Sequence, residues 1–443
     1  MMHPFMPTLY DDPVVITDYN FWVFSHVWLH KQPLFLWQIA LSYKLFGVNE
    51  FTTRIPSVVL SSLLVSPFYR TGKILGNKKI GFYASLLLVT SFYLMELISG
   101  CRGTDHNDVS FMAYISLSFW CWIEYINSKK KRWLVLVGLF SGFAVLCKWI
   151  VGLLVYISWA AYAFKENRWK LLKYKDIGIS FVITFVIAFP WQLYTYLKYP
   201  VEYRSENLYN ITHFFAPLEG HSGDYFYYLA HMHELYGGLV PYLIIPGLIV
   251  FYRRSNSKSI FTALFVTIFA VFVFFSLAET KLSSYTLVLI LPIFIIMAFF
   301  MDYLVSLIEK LKLLTVINRV IFFVALLLLI IMRIDYKSWH EKYSFRGPDN
   351  EYLSAMKHNK NVFESLQLPK NAVVFNVLHN YTEAMFYTGL PVYGFIPSKE
   401  QYLDLKNKNR IVALFRPKDQ LFPPYLQEDK STIMLNDTIK AIW

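Results

Sequence analysis

The sequence predicts an all-α polytopic membrane protein with about ten transmembrane helices and a small carboxy-terminal α/β domain. Three observations predict it. Of the 443 residues, 56% are hydrophobic, and the mean hydropathy is +0.39. Only 16% are charged, against about 25% in a soluble domain. Basic residues recur in every second loop between the apolar runs, as they do when those loops face the cytoplasm.

A spanning helix needs about 20 apolar residues. Runs that approach this length cover 51–69, 81–99, 109–126, 131–147, 149–164, 177–197, 236–252, 259–278, 285–306 and 314–333. The runs at 131–147 and 149–164 are short and parted only by Lys148, so they read as a tight helical hairpin or a broken, re-entrant pair. The basic loops carry Arg70, Lys73, Lys78 and Lys79; Lys129 to Arg132; Lys165, Arg168, Lys170, Lys173 and Lys175; Arg253, Arg254 and Lys258; and Lys310, Lys312 and Arg319. Placing these inside sends residues 1–50, the 100–108 loop, the long 198–235 loop, the 279–284 loop and everything after 333 outward. An outward amino terminus then calls for a spanning helix upstream of Met1. Met1–Pro13 lacks the basic and apolar regions of a cleavable signal peptide.

The expected organisation is an outward first loop with an interfacial helix (1–50), a transmembrane domain (51–333) and an extracytoplasmic α/β cap (334–443). In the cap, Val373–Val377, Val392–Phe395 and Ile411–Phe415 read as strands, with helix at Glu383–Tyr387 and Ser398–Leu405. A net charge of +12 follows from the cytoplasmic loops, so nucleic acid is not an expected partner. The cysteines, Cys101, Cys121 and Cys147, have no metal-ligand spacing. There is no Walker loop and no dinucleotide fingerprint, so no nucleotide cofactor is expected.

Polar residues against a membrane are costly, and here they gather on the outward side. His30-Lys31-Gln32-Pro33 precedes an apolar stretch, 33–46, too short to span; it reads as an interfacial helix that holds Lys31 at its amino end, a natural phosphate site. Lys31 reads equally as an ordinary snorkelling lysine. Asp105 and Asp108 lie three apart before the run at 109, suited to general-base or metal chemistry, although Asp108 or Asn107 could simply cap the helix at 109. The long outward loop carries Glu219 and His221 among His213, His231 and His233, a pattern that fits metal or phosphate contact but matches no zinc signature. Lys281 and Tyr285 in the 279–284 region supply an ammonium and a hydroxyl for a lipid phosphate, and read alone as a plain connection.

These motifs, taken in order, resemble the lipid A aminoarabinose transferases and the related protein O-mannosyltransferases of the GT-C class. Lys31-Gln32-Pro33-Leu34 with Trp37, followed by Phe46-Gly47-Val48-Asn49-Glu50-Phe51-Thr52-Thr53-Arg54, is similar to their first-loop signature. Gly142 to Lys148 with Gly152-Leu153-Leu154 resembles their lysine-glycine stretch, with Trp149 in the glycine's place. Pro190-Trp191 and Thr280-Lys281-Leu282-Ser283-Ser284-Tyr285 resemble two further motifs, the latter with Ser283 in place of proline.

The resemblance implies a glycosyltransferase of the bacterial inner membrane. It would move a sugar from a polyprenyl-phosphate donor to a lipid, glycan or protein acceptor. Lys31, Lys281, Tyr285 and His221 would meet the donor phosphate, Asp105 or Asp108 would supply the acidic group, and His30 and His221 would hold a divalent metal. The family also carries an acidic pair in its first outward loop, to which Asp11, Asp12 and Asp18 do not align. A lipid or sugar transporter, or flippase, is the rival expectation; it would want broken or charged helices at mid-membrane. A non-catalytic scaffold would not need matched basic and acidic residues in separate outward loops.

Overall fold

A computed structural model describes residues 6–10, 26–100, 105–167, 174–238, 240–310, 351–416 and 423–440, with isolated helical positions between 316 and 327. Over these residues the chain divides into a larger unit, Leu29–Asp335, and a smaller one that joins Thr8–Trp28 to Tyr336–Trp443.

In the larger unit the apolar runs become helices where sequence expects them. The short helix over 33–46 forms as α1 (Leu34–Phe46), with Pro33 as its N-cap. Asn49 then closes a capping box with Thr52 and starts α2 (Glu50–Leu63), which continues into α3 (Val65–Leu75). Asn77 caps α4 (Lys78–Val89), which meets α5 (Phe92–Ser99) at a 44° bend. The remaining elements are α6 (Asp105–Ser128), α7 (Lys131–Lys148), α8 (Leu154–Asn167), α9 (Lys175–Lys198), α10 (Pro200–Phe215), the short α11 (Tyr227–Ala230) and α12 (Met232–Tyr236), α13 (Val240–Arg254), α14 (Lys258–Leu277) and α15 (Ile290–Lys310). Short 3₁₀ segments, Trp149–Leu153 and Ser283–Leu289, lead into α8 and α15.

Among the described residues six helical segments are long and apolar enough to cross a membrane, or seven if α4 and α5 form one bent span. That is fewer than the ten runs read from sequence. The run at 314–333 lies largely outside the described residues, and α13, at 15 residues, is short. One of the six, Lys131–Glu166, contains both runs around Lys148. As a straight helix its 36 residues would reach about 54 Å, well beyond a hydrocarbon core of about 30 Å. It doubles back instead. Gly152 packs against the backbone of Ala144 and Val145, and the Tyr156 hydroxyl meets Thr184 Oγ1 at 2.7 Å while the Thr184 hydroxyl donates to the Gly138 carbonyl at 2.9 Å.

The apex of this hairpin is tight. Trp149 sits at φ 53°, a conformation that L residues rarely adopt. A Cβ on Gly152 would lie 2.4 Å from the Val145 nitrogen, a backbone atom that cannot rotate away. Gly152→Ala is therefore expected to lower the melting temperature in detergent, at a cost of about 1–3 kcal/mol for overpacking. An unchanged melt would show that the hairpin has slack.

Helix α6 is the central post: it is almost wholly buried and packs on α2, α3, α7 and α8. Its two ends differ. At one end Arg70 grips Glu124 through paired bonds of 2.7 and 3.0 Å, and Tyr125 donates to Asp176. The same end gathers Lys79 with Glu309 (2.8 Å) and Arg254 with Asp302 (3.5 Å), so the basic loops meet there. Asp108 lies about 24 Å away along α6, at 1.5 Å per residue.

The smaller unit holds a three-stranded parallel sheet in the order β1 (Ala372–Phe375), β2 (Ile411–Phe415), β3 (Ile433–Leu435). The expected strand Val392–Phe395 runs beside β1 as an irregular segment: Val392 bridges Val374, Tyr393 N–H donates to the Val374 carbonyl at 2.8 Å and Asn376 N–H to the Phe395 carbonyl at 3.0 Å, while β3 takes the outer place beside β2. Helices Tyr381–Thr388 and Lys399–Asn407 form near the expected positions, the second with a Ser398 capping box. Tyr10 stacks on Tyr393 at 4.7 Å, which ties the described part of Thr8–Trp28 to this unit.

Candidate active site

The site is built at the end of α6 remote from the basic loops. Asp108 lies in the first turn of α6, where the helix dipole favours a carboxylate. Lys148 lies in the last turn of α7, where a cation is favoured. The hairpin between α6 and α7 brings the two together as an ion pair across 40 residues of sequence. Asp108 is buried, and its second carboxylate oxygen, Oδ2, has no hydrogen-bond partner among the described residues. The Lys148 ammonium also lies over the rings of Tyr285 (5.5 Å) and Phe111 (5.9 Å).

Lys31 approaches the same point from the amino-terminal side. Helix α1 is anchored to α6, where Gln38 donates to the Tyr114 hydroxyl and accepts from Ser110 (2.8 Å), and to α9, where Trp37 meets Trp191 edge-to-face at 5.5 Å. These contacts fix the loop before α1. Among the described residues the Lys31 ammonium has neither a hydrogen bond nor an ion pair within 4.0 Å. Burial and then the charge of Lys148 hold its pKa below the usual lysine range, while Glu219, Asp108 and Glu206 act the other way.

The carboxylates come from the long loop and α10. Burial works to raise the pKa of Glu219, but a 2.8 Å bond from the Tyr209 hydroxyl and the charges of Lys31, His30 and His213 outweigh it, and the net shift is downward. His213 is pushed down by burial and then by Lys31. Glu206 bonds His30 Nδ1 at 3.1 Å. Tyr285 lies within electrostatic range of Asp108 and Glu219. Two lysines, three carboxylates and a tyrosine thus converge at one end of the bundle.

Known proteins place this architecture. The dolichyl-phosphate-mannose-protein mannosyltransferase family matches residues 30–194. The chain is 28% identical over 272 residues to the undecaprenyl phosphate-alpha-4-amino-4-deoxy-L-arabinose arabinosyl transferase 1 of Pseudomonas fluorescens, covering 59% of this chain and 48% of that one. It is 27% identical over 294 residues to the corresponding transferase of Pseudomonas aeruginosa, covering 62% and 51%. It thus spans about half the length of these curated relatives. Among solved structures it is similar to ArnT from Cupriavidus metallidurans bound to undecaprenyl phosphate, with a TM-score of 0.64 and 17% identity over 93% of this chain and 86% of that one. The chain has the GT-C glycosyltransferase fold. A more distant likeness is to the archaeal oligosaccharyltransferase AglB from Archaeoglobus fulgidus, with a TM-score of 0.52 and 13% identity over 86% of this chain and 57% of that one.

Within this GT-C frame the residues singled out from sequence meet different fates. Lys31, Asp108 and Tyr285 converge. Asp105 opens α6, but its side chain lies outside what is described. His221 is exposed, lies within electrostatic range of His213, and accepts the Lys281 backbone N–H on its carbonyl at 3.1 Å, so its loop does reach the site. Lys281 departs from its expected role. Its ammonium turns into the end of α14 and donates to the carbonyls of Phe275 (3.2 Å), Ser276 (2.7 Å) and Ala278. These carbonyls have no partner further along the helix, and a buried ammonium needs acceptors, so the lysine caps α14.

Lys148 instead stands beside Lys31. In the sequence Lys148 is the break between two apolar runs and the lysine of the stretch that resembles the family's lysine-glycine motif, with no site role attached to it, although a lone charge in such a run is a signal in itself. Glu206 gave no signal at all, being one of several polar residues on α10. Among the described residues no group of three His, Cys, Asp or Glu side chains is placed so as to hold a metal ion, and His30, implied as a ligand together with His221, is engaged by Glu206.

Proposed function

We propose that this protein is a membrane glycosyltransferase that moves a sugar from a polyprenyl-phosphate donor to a lipid, glycan or protein acceptor at the extracytoplasmic face of the plasma membrane. The carrying observation is the convergence of Lys31 and Lys148 beside Asp108 and Glu219, at the end of α6 opposite the basic loops. The relatives' names point to the same donor class. The number of spans, about ten with α13 and 314–333 included, belongs to this proposal, as does the outward placement of the smaller unit.

A donor carried in the membrane suits the surroundings. A cavity of about 250 Å³, lined by apolar groups that include Ile150, Leu153, Phe185 and Phe189, lies between the α7–α8 hairpin and α9. It shares Trp149, Gln192 and Tyr203 with a small pocket of mixed lining that reaches the polar groups of Gln32 and Glu206, next to Lys31. An isoprenoid chain and its phosphate need this succession of apolar and polar walls. The charged groups of α6 sit near its two ends, Asp108 and Glu124, and not at its middle, which favours surface chemistry over transport.

In the proposed reaction an acceptor hydroxyl attacks the anomeric carbon. The bond from that carbon to the phosphate oxygen breaks, and polyprenyl phosphate leaves with the electron pair. Lys31 and Lys148 offset the charge that grows on the phosphate, in a partly dehydrated site where such pairing counts for most. Asp108 holds Lys148 through one oxygen and offers the other to the acceptor proton. Glu219 is held ionised by Tyr209 and Lys31. Attack in line with departure inverts the anomeric centre.

The test is incubation of the purified protein with polyprenyl-phosphate sugars and a panel of acceptors. Release of polyprenyl phosphate with appearance of a glycosylated product is expected. Movement of the intact donor across a vesicle bilayer without cleavage would instead establish the transporter reading.

Lys31 sets a pH dependence. Its pKa is lowered from 10.5, so it loses its proton, and with it the phosphate's counter-charge, at a lower pH than a free lysine. Donor kcat/KM should therefore fall along an alkaline limb that begins below pH 10.5. Between the lowered pKa and 10.5 the unfolded chain binds more protons than the folded one, so this residue's contribution to stability rises with pH across that window. Lys31→Arg should move the limb upward, because guanidinium does not deprotonate in that range; the same limb in both proteins would assign it to another group.

A further inference from the structure

Lys31 carries a flexible four-carbon stem, and such a stem is placed only as well as its backbone. The residues on either side of it are both buried and both bonded to other helices. His30 Nδ1 meets Glu206 Oε2 on α10 at 3.1 Å. Gln32 Oε1 accepts from Gln192 Nε2 on α9 at 2.6 Å. Pro33, one residue on, fixes its own φ. Tyr209, a turn beyond Glu206, presents its ring to His30 at 5.3 Å while its hydroxyl holds Glu219. The carboxylate of Glu206 is itself a puzzle in a site read as receiving a phosphate, since it would repel that ligand if left alone.

We propose that His30 and Glu206 are positioning residues: their bond clamps the loop before α1 to α10 and thereby sets where the Lys31 ammonium meets the donor phosphate. The proposal rests on the transfer reading above. It gives Glu206 a purpose, because a carboxylate engaged by the imidazole is turned from the phosphate. It also makes α10 part of the site's frame. Displacement of a reacting or stabilising group by about 1 Å can cost about 100-fold in rate, and a loop released from α10 has that freedom.

The experiment uses the full chain in detergent, with polyprenyl phosphate as the binding probe and a polyprenyl-phosphate sugar for turnover. Glu206→Ala and His30→Ala should each weaken probe binding and lower kcat by about 10- to 100-fold. The double variant should do no more than either single one, as expected for two residues that share one interaction. In a Lys31→Ala background, Glu206→Ala should have no further effect on probe binding, an outcome that a general loss of folding would not give.

Glu206→Gln keeps an oxygen acceptor for the ring N–H and should stay within about threefold of wild type. A well-folded Glu206→Gln with a tenfold loss would overturn the clamp, since the charge and not the bond would then matter. Additive losses in the double variant would also overturn it. So would wild-type turnover abolished by a chelator and restored by a divalent cation, with His30→Ala insensitive to both, because His30 would then be a ligand. Wild-type protein that binds no polyprenyl phosphate overturns the transfer reading and the clamp with it. Wild-type binding that Glu206→Ala and His30→Ala leave unchanged overturns the clamp alone.

Discussion

Lys31→Ala is expected to lower kcat for sugar transfer by about 10²–10³-fold while the protein remains folded. The size follows from the loss of one preorganised charge aimed at a developing anion, about 2.7–4 kcal/mol. Retention of the fold follows from what Lys31 touches. Among the described residues its ammonium makes no hydrogen bond or close ion pair, and its burial beside Lys148 is unfavourable to its charged form. Alanine therefore removes a desolvated charge and no hydrogen-bond or close ion-pair partner, and leaves Glu219 its bond from Tyr209. Single-turnover transfer from a polyprenyl-phosphate sugar, paired with a detergent melt, separates the two effects. Turnover close to wild type would remove Lys31 from the mechanism, and a lowered melt would mean that the lysine has a structural partner.

Lys148→Met should behave in the opposite manner and lose both stability and transfer. It leaves the Asp108 carboxylate buried and uncompensated, with neither oxygen paired. Removal of one partner from a buried ion pair costs about 3–5 kcal/mol, whereas replacement of both can be neutral. The double variant Lys148→Met with Asp108→Asn should therefore recover the melting temperature without recovering transfer. A single variant as stable as wild type would show that solvent reaches Asp108. A double variant that regains turnover would show that the pair holds the hairpin together and takes no part in the reaction.

These two lysines mark how far the sequence could be read. Lys31 stands beside Pro33 and a short apolar helix, a local arrangement that forms as α1 and is recognisable without tertiary contacts. Lys148 acquires its importance only when α7 packs against α6 and places it on Asp108, 40 residues away. Lys281 had the stronger local signal, an ammonium between two apolar helices next to Tyr285. The end of α14, however, provides three carbonyls within its reach, and these take the charge. The nearest set of unsatisfied acceptors decides where a buried ammonium points, and sequence position does not reveal it.

The same division runs through the fold. The sequence by itself determined the apolar helices and the short helix Leu34–Phe46, because run length and capping residues such as Asn49 and Asn77 are local properties. It also separated the polar, site-bearing loops from the basic ones. Tertiary structure alone decided that Lys131–Glu166 folds back at Trp149, that Val392 contributes a bridge while Ile433–Leu435 supplies the third strand, and that Glu206 meets His30. Each of these depends on distant groups competing for limited space and for hydrogen-bond partners, and that competition is settled only when the helices pack.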